Sequence, residues 1–242
     1  MARFSSSLFA GFVSASVVTA GLTAPAHAQP SGVVKGTISF DGEPPERTKL
    51  QRTTDPLCAR TDKLSEDVIV TNGKLKDVLV RVKNGALPAS KPRSVPAPVL
   101  IDQKDCMYSP RVIGLVAGQQ VAVRNSDGTF HNVHGTIAGA QHWNKPASPG
   151  DPDLTLDGSA RPGDVIDIVC DVHPWMHAYA IVQDHTAFAV TGEDGAFALT
   201  GLPPGTYTIE AWHPTLGTQS TTVKIGKTTK PTAATLSFKR AK

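Results

Sequence analysis

Polar and apolar residues alternate in short runs along most of this chain, and a turn residue closes nearly every run. Thr206-Tyr207-Thr208-Ile209-Glu210-Ala211-Trp212 is one example. A period of two gives an extended strand one face for a core and one for water. The pattern recurs at 33–40, 68–70, 78–82, 99–101, 112–116, 121–124, 164–169, 178–182, 187–190, 196–199, 220–225 and 233–238. The 21 glycines and 19 prolines supply the breaks. Asn72-Gly73 reads as a hairpin turn between 68–70 and 78–82, and Asp194-Gly195 and Pro203-Pro204-Gly205 reverse the later strands. Residues 87–98, rich in Pro and Ser, read as a linker or surface crossing. Helical periodicity does not extend beyond single turns. The expected fold is therefore all-β, made of Greek-key sandwiches.

The N-terminus has a different composition. Arg3 is the one charge before Lys35, an apolar run lies between Leu8 and Leu22, and Ala26-His27-Ala28 follows. This order predicts a secretory leader (1–28) cleaved after Ala28. A membrane anchor is the alternative, but the run is short and broken by Ser, Thr and Gly. No later segment is apolar enough to span a bilayer, so the mature chain is expected to be soluble and exported. The leader's bacterial style suggests the periplasm. Without Arg3, the 24 basic and 21 acidic residues leave a net charge of +2. That balance gives no basic stripe and argues against a nucleic-acid partner. Residues 239–242 read as a solvated tail.

Three cysteines in an oxidising compartment leave one unpaired. Metal ligation is one reason for a thiol to stay reduced there. Cys170 lies in Cys170-Asp171-Val172-His173-Pro174-Trp175-Met176, which puts a thiolate, an imidazole and a thioether on one loop between two expected strands. Cys58 and Cys106 then form the natural disulfide. A thiolate and two imidazoles in a plane, with a weak axial thioether, are the donors of a blue-copper site. Zinc is the rival ion, although it favours a harder or thiolate donor over a thioether. The second imidazole is expected from His131, in Asn125-Ser126-Asp127-Gly128-Thr129-Phe130-His131-Asn132-Val133.

That segment resembles the Asn-x-Asp…His-Asn-Val stretch of plastocyanin-like cupredoxins, and Cys170-x-x-His173-x-x-Met176 resembles the short ligand loop of amicyanin. Residues 110–119 resemble the strand pair that precedes the first ligand. The resemblance covers about 97–184, the size of a small domain. It implies a Greek-key sandwich (96–184) with one type 1 copper on His131, Cys170, His173 and Met176. Asn132 would steady the ligand loops, and His173 would be the electron exit. Several nearby residues are left open. His134, His142 and His177 could form a second copper or zinc site or be ordinary surface residues. Trp143 and Trp175 could shield the metal, form a docking patch or belong to the core. Arg111 could tune the potential, guide a partner or simply lie on the surface.

Residues 189–213 resemble the carboxypeptidase regulatory-like, or transthyretin-like, sandwich, with Asp194-Gly195, Phe197 and Pro203-Pro204-Gly205 as its marks. His213 there could be an extra ligand or a loop residue. This module (185–242) lacks its opening strands, and Val34-Lys35-Gly36-Thr37-Ile38-Ser39-Phe40 and 78–82 look like them. The N-terminal segment (31–95) is thus expected to complete it, giving one discontinuous sandwich from 31–90 and 185–242 with the cupredoxin inserted. The combination resembles bacterial proteins labelled methylamine-utilisation-like. It implies a non-enzymatic one-electron carrier serving a periplasmic redox protein. The alternatives are copper storage or delivery, and an envelope-binding module with a carbohydrate-binding-like fold.

Overall fold

The computed structural model describes residues 32–83, 86–87, 96–227 and 230–240. The expected leader and most of 87–98 lie outside them. No helix among the described residues is long and apolar enough to cross a membrane. In chain order the strands are β1 (Gly32–Asp41), β2 (Val70–Thr71), β3 (Lys74–Leu75), β4 (Leu79–Val82), β5 (Val99–Lys104) and β6 (Met107–Ser109). Then come β7 (Val112–Val116), β8 (Val121–Asn125), β9 (His131–Ile137), β10 (Ala140–Ala147), β11 (Leu154–Leu156) and β12 (Val165–Val169). β13 (His177–Gln183), β14 (Phe188–Val190), β15 (Ala196–Leu202), β16 (Gly205–His213), β17 (Gly217–Ile225) and β18 (Thr232–Lys239) complete the described strands. The fold is all-β: a cupredoxin-like β-sandwich and a second β unit.

Four sheets make the two sandwiches. In the first, β15-β1-β3-β2, with β18 along β1, faces β14-β4-β16-β17. β1 pairs antiparallel with β15 and parallel with β18, so the chain's first and last described strands lie side by side. β1 thereby shares one sheet with strands from the end of the chain. Ile38, Leu75, Val80, Leu199, Ile209 and Phe238 fill its core. Gly36 lets β1 and β18 approach, since a Cβ there would fall 1.7 Å from the Ala234 carbonyl oxygen. In the second sandwich, β10-β9-β12-β13-β7 faces β11-β8-β5-β6. Ile101, Leu115, Val133, Ile166 and Ile168 are buried between these sheets. Leu79, Val112 and Ile181 form a third apolar cluster where the sandwiches meet, with Phe188 and Trp212 against it.

Two differences from the sequence reading have local causes. Asn72 and Gly73 (φ 50° and 73°) do make a tight hairpin turn, but it joins β2 to β3. β4 instead crosses to the opposite sheet and pairs with β16 and β14. The strands β9 and β10 carry no clean alternation. His131, Asn132 and Val133 are buried in succession because the ligand loop covers the outer face of β9. β10 is an edge strand, where the exposed Lys145 and Pro146 are tolerated.

Candidate metal centre

The centre lies at one end of the second sandwich. β9 begins with His131, and the β12–β13 loop carries Cys170, His173 and Met176. Asn125 shapes the approach to β9: its amide donates to the carbonyls of Thr129 and Ala147, and its Oδ1 accepts the Asp127 N–H. Asn132 joins strand to loop. Its Oδ1 accepts the Asp171 N–H at 2.7 Å, and its Nδ2 donates to Asp171 Oδ2 at 2.6 Å. Asn132 thereby ties the start of β9 to the ligand loop.

His131, Cys170 and His173 are 0%, 1% and 4% exposed. Their Nδ1, Sγ and Nδ1 atoms converge. The two nitrogens are 2.9 Å apart, and the sulfur is 4.0 Å from His131 and 3.7 Å from His173. A circle through these atoms has a radius of about 2.1 Å, the length of a metal–imidazole bond and slightly under a metal–thiolate one. The donor spacing thus fits a single soft or borderline transition-metal ion. Met176 is wholly buried in the cluster that holds Cys170, and its N–H closes on the His173 carbonyl at 2.9 Å.

The outer nitrogens of both rings meet carboxylates. His131 Nε2 is 2.9 Å from Asp127 Oδ2, and His173 Nε2 is 3.1 Å from Asp55 Oδ2. An ionised carboxylate only accepts, so each Nε2 carries a proton, and Nδ1 is the nitrogen left to face the centre. Burial opposes ionisation of both acids but is outweighed. Asp127 is held low by His131 and the Cys106 and Asp105 N–H groups. Asp55 is held at about 2 by the Thr129 hydroxyl, the Leu57 and Cys58 N–H groups and His173. Burial also pushes the Cys170 thiol up, yet His131 and the N–H groups of Asn132, Val172 and His173 bring it below its ordinary value. Against burial, Asp127 and Cys170 raise His131 to about 8. Burial and the neighbouring His131 lower His173 despite Asp55. These surroundings ease ionisation of the Cys170 thiol.

Asp55 belongs to the long connection between β1 and β2, part of the other sandwich. This connection crosses to the metal centre, where several contacts hold it. The Cys58–Cys106 disulfide fixes it to the β5–β6 turn. Arg52 donates to the Asp105 carbonyl. The Thr129 hydroxyl donates to Asp55 at 2.7 Å. Cys58 Sγ lies 3.7 Å from His173 Nε2. His173 is therefore covered and cannot be the exposed electron exit that the sequence suggested: a neighbouring sandwich has closed over its edge. Cys170 is the free thiol, as cysteine counting required.

The other expectations separate. His134 pairs with Asp171 at 2.8 Å and His177 with Asp167 at 3.5 Å, while His142 lies against Trp143. None of the three joins a metal-sized donor cluster among the described residues. Trp143 is core, its indole N–H donating to the Asp157 carbonyl. Trp175 lies beside His173, with ring centres 5.1 Å apart. His213 joins no metal-sized donor cluster among the described residues and is not exposed. It is buried, its Nδ1 accepts the Thr215 and Leu216 N–H groups, and burial lowers it to about 4. Arg111 is buried against Tyr179 and reaches Asp67 at 3.3 Å. Sequence reasoning gave no role to Asp127, although it lies in the quoted segment, and passed over Asp55. The one signal for Asp55 was a strandless stretch after residue 42, longer than an idle loop usually is.

No protein-family model matches the chain, and neither does any curated protein. Among solved structures, a purple cupredoxin from Nitrosopumilus maritimus is 22% identical, covering 35% of this chain and 99% of its own, with a TM-score of 0.31. A variant of amicyanin in its reduced Cu(I) form at pH 4 is 18% identical, covering 43% and 98%, with a TM-score of 0.32. A copper-containing nitrite reductase from Thermus scotoductus is 17% identical, covering 55% of this chain and 27% of its own, with a TM-score of 0.33.

Proposed function

We propose that this chain is an exported one-electron carrier holding one type 1 copper ion. His131 Nδ1, Cys170 Sγ and His173 Nδ1 would hold the ion, and Met176 would add a weaker thioether donor. The observation that carries this reading is the buried donor triangle, whose edges of 2.9, 3.7 and 4.0 Å suit one ion. When bound, copper supplies a reversible Cu(II)/Cu(I) couple. The protein's part is to keep the same donors in place through both states. Asn132 clamps strand to loop, the two carboxylates fix the imidazoles, and the core holds Met176. A site so rigid and so closed to water needs little rearrangement when one electron arrives or leaves. No bond in a substrate has to be made, so we assign no catalytic step. Export is supported by the N-terminal leader pattern and by a disulfide, which persists in oxidising compartments. The partner is then a periplasmic redox protein.

The test is the visible and EPR spectrum of the Cu(II)-loaded chain beside Cys170→Ala. An intense thiolate-to-copper band with narrow hyperfine splitting, lost in the variant, is expected. A tetragonal spectrum that survives the substitution would overturn the type 1 assignment and favour copper storage or delivery.

A further inference from the structure

With His173 under the Asp55 loop, His131 fully buried and Cys170 and Met176 inside the core, no ligand edge faces a partner. An electron still has to cross the surface somewhere, and tunnelling falls off steeply with distance. Trp175 provides a bridge. Its ring is 5.1 Å from that of His173, the closest aromatic contact of either imidazole outside the pair itself. The indole is held on two sides: its N–H donates to the Cys106 carbonyl at 2.9 Å, and the Arg52 guanidinium lies 5.9 Å from its ring centre. Unlike the ligands, Trp175 is partly exposed. It opens on a hollow of about 280 Å³ at the seam of the sandwiches, lined also by Pro174, His177, Tyr179, Glu66 and Asp67.

We infer that Trp175 is the electron port of this protein and that its hollow receives a redox partner with a positively charged edge. This inference rests on the copper reading above. The charge follows from the rim. The Asp67 side chain is 71% exposed, whereas its ion-pair partner Arg111 is 6% exposed. The outward rim of the hollow therefore shows the Asp67 carboxylate, with the paired guanidinium beneath it. The indole acts as a bridge and is not itself oxidised. One electron passes from the Cu(I) centre through it to the acceptor. The competing exit is the exposed apolar pair Phe130 and Val172, each next to a ligand in sequence but neither lining Trp175's hollow.

The experiment is stopped-flow oxidation of the Cu(I)-loaded chain by the cationic oxidant tris(1,10-phenanthroline)cobalt(III), with the blue absorption of every variant recorded first. Trp175→Leu should keep the band and lose rate severalfold, while Val172→Ser should match the parent. Asp67→Lys, which leaves the indole untouched, should slow the cationic oxidant by about tenfold at low salt and speed hexacyanoferrate(III). If Trp175→Leu disturbs the band, the Asp67→Lys pair of rates decides. Unchanged rates in both variants, or a loss confined to Val172→Ser, would overturn the port. A parent chain without the blue band would instead sink the copper reading and the port with it.

Discussion

Asp127 and Asp55 do the same work on the two imidazoles from distant parts of the chain. Each takes the outer N–H of a histidine and is itself fixed by main-chain N–H groups, Cys106 and Asp105 for one and Leu57 and Cys58 for the other. Groups that orient a ligand from behind matter to affinity nearly as much as the ligand does. Asp127→Ala should therefore weaken copper binding by about 10–100-fold. Asp127→Asn keeps an oxygen acceptor but drops the charge. It should bind more tightly than the alanine variant and shift the reduction potential upward, because a negative charge behind the ligand favours Cu(II). Chelator competition and a redox titration check both, and an alanine variant that binds like the parent would show that the carboxylates do not orient the rings. At this scale the sequence was informative where chemistry is local. Cys170, His173 and Met176 lie within one loop, so their donor types and spacing were readable. Asp55 is a common residue type that gains its role only when a second sandwich brings it to His173.

The strands were legible wherever one face is dry and the other wet. β16 alternates buried and half-buried residues over its length, as its sequence reads. The pattern failed at β9 because the ligand loop covers its outer face, and at β10 because an edge strand may expose both faces. Turn chemistry located Asn72-Gly73 but not its partner strands, since a two-residue turn fixes local register and not the sheet that follows. Close strand approach was invisible in the sequence and is now testable. A methyl at Gly36 meets the Ala234 backbone, which cannot swing aside as a side chain would. Gly36→Ala should cost about 1–3 kcal/mol, read as a lower midpoint in urea with the fold retained by circular dichroism. A midpoint equal to the parent's would mean that β1 and β18 separate without penalty.

At the scale of the molecule, one cross-link ties the metal centre to the long connection of the first sandwich, and one buried acid makes stability depend on pH. The Cys58–Cys106 bridge spans 48 residues, and closing a loop of that length in the unfolded chain is worth about 4 kcal/mol in the chain-entropy account. Replacing both cysteines by serine should lower stability by up to that amount. It should also speed copper loss to a chelator, because Asp55 would no longer be pinned over His173. The buried acid is Asp77, between β3 and β4. Its N–H donates to the Thr191 carbonyl, its Oδ2 has no partner, and Glu66 and Arg111 are its charged neighbours from other elements, with Lys76 beside it in the chain. Burial, the largest influence, and the nearby Glu66 raise it from 3.8 to about 6. The native state thus holds a proton that the unfolded chain has released between about pH 4 and 6. Stability from this group is present in full below pH 4 and is lost as pH rises through 6. The loss is at most about 3 kcal/mol. Asp77→Asn keeps the residue's positive φ of 60°, which asparagine adopts readily, and removes the proton. The urea midpoint of the variant should exceed the parent's at pH 7 and converge with it at pH 4. A constant difference across that range would show that Asp77 does not hold a proton at the seam.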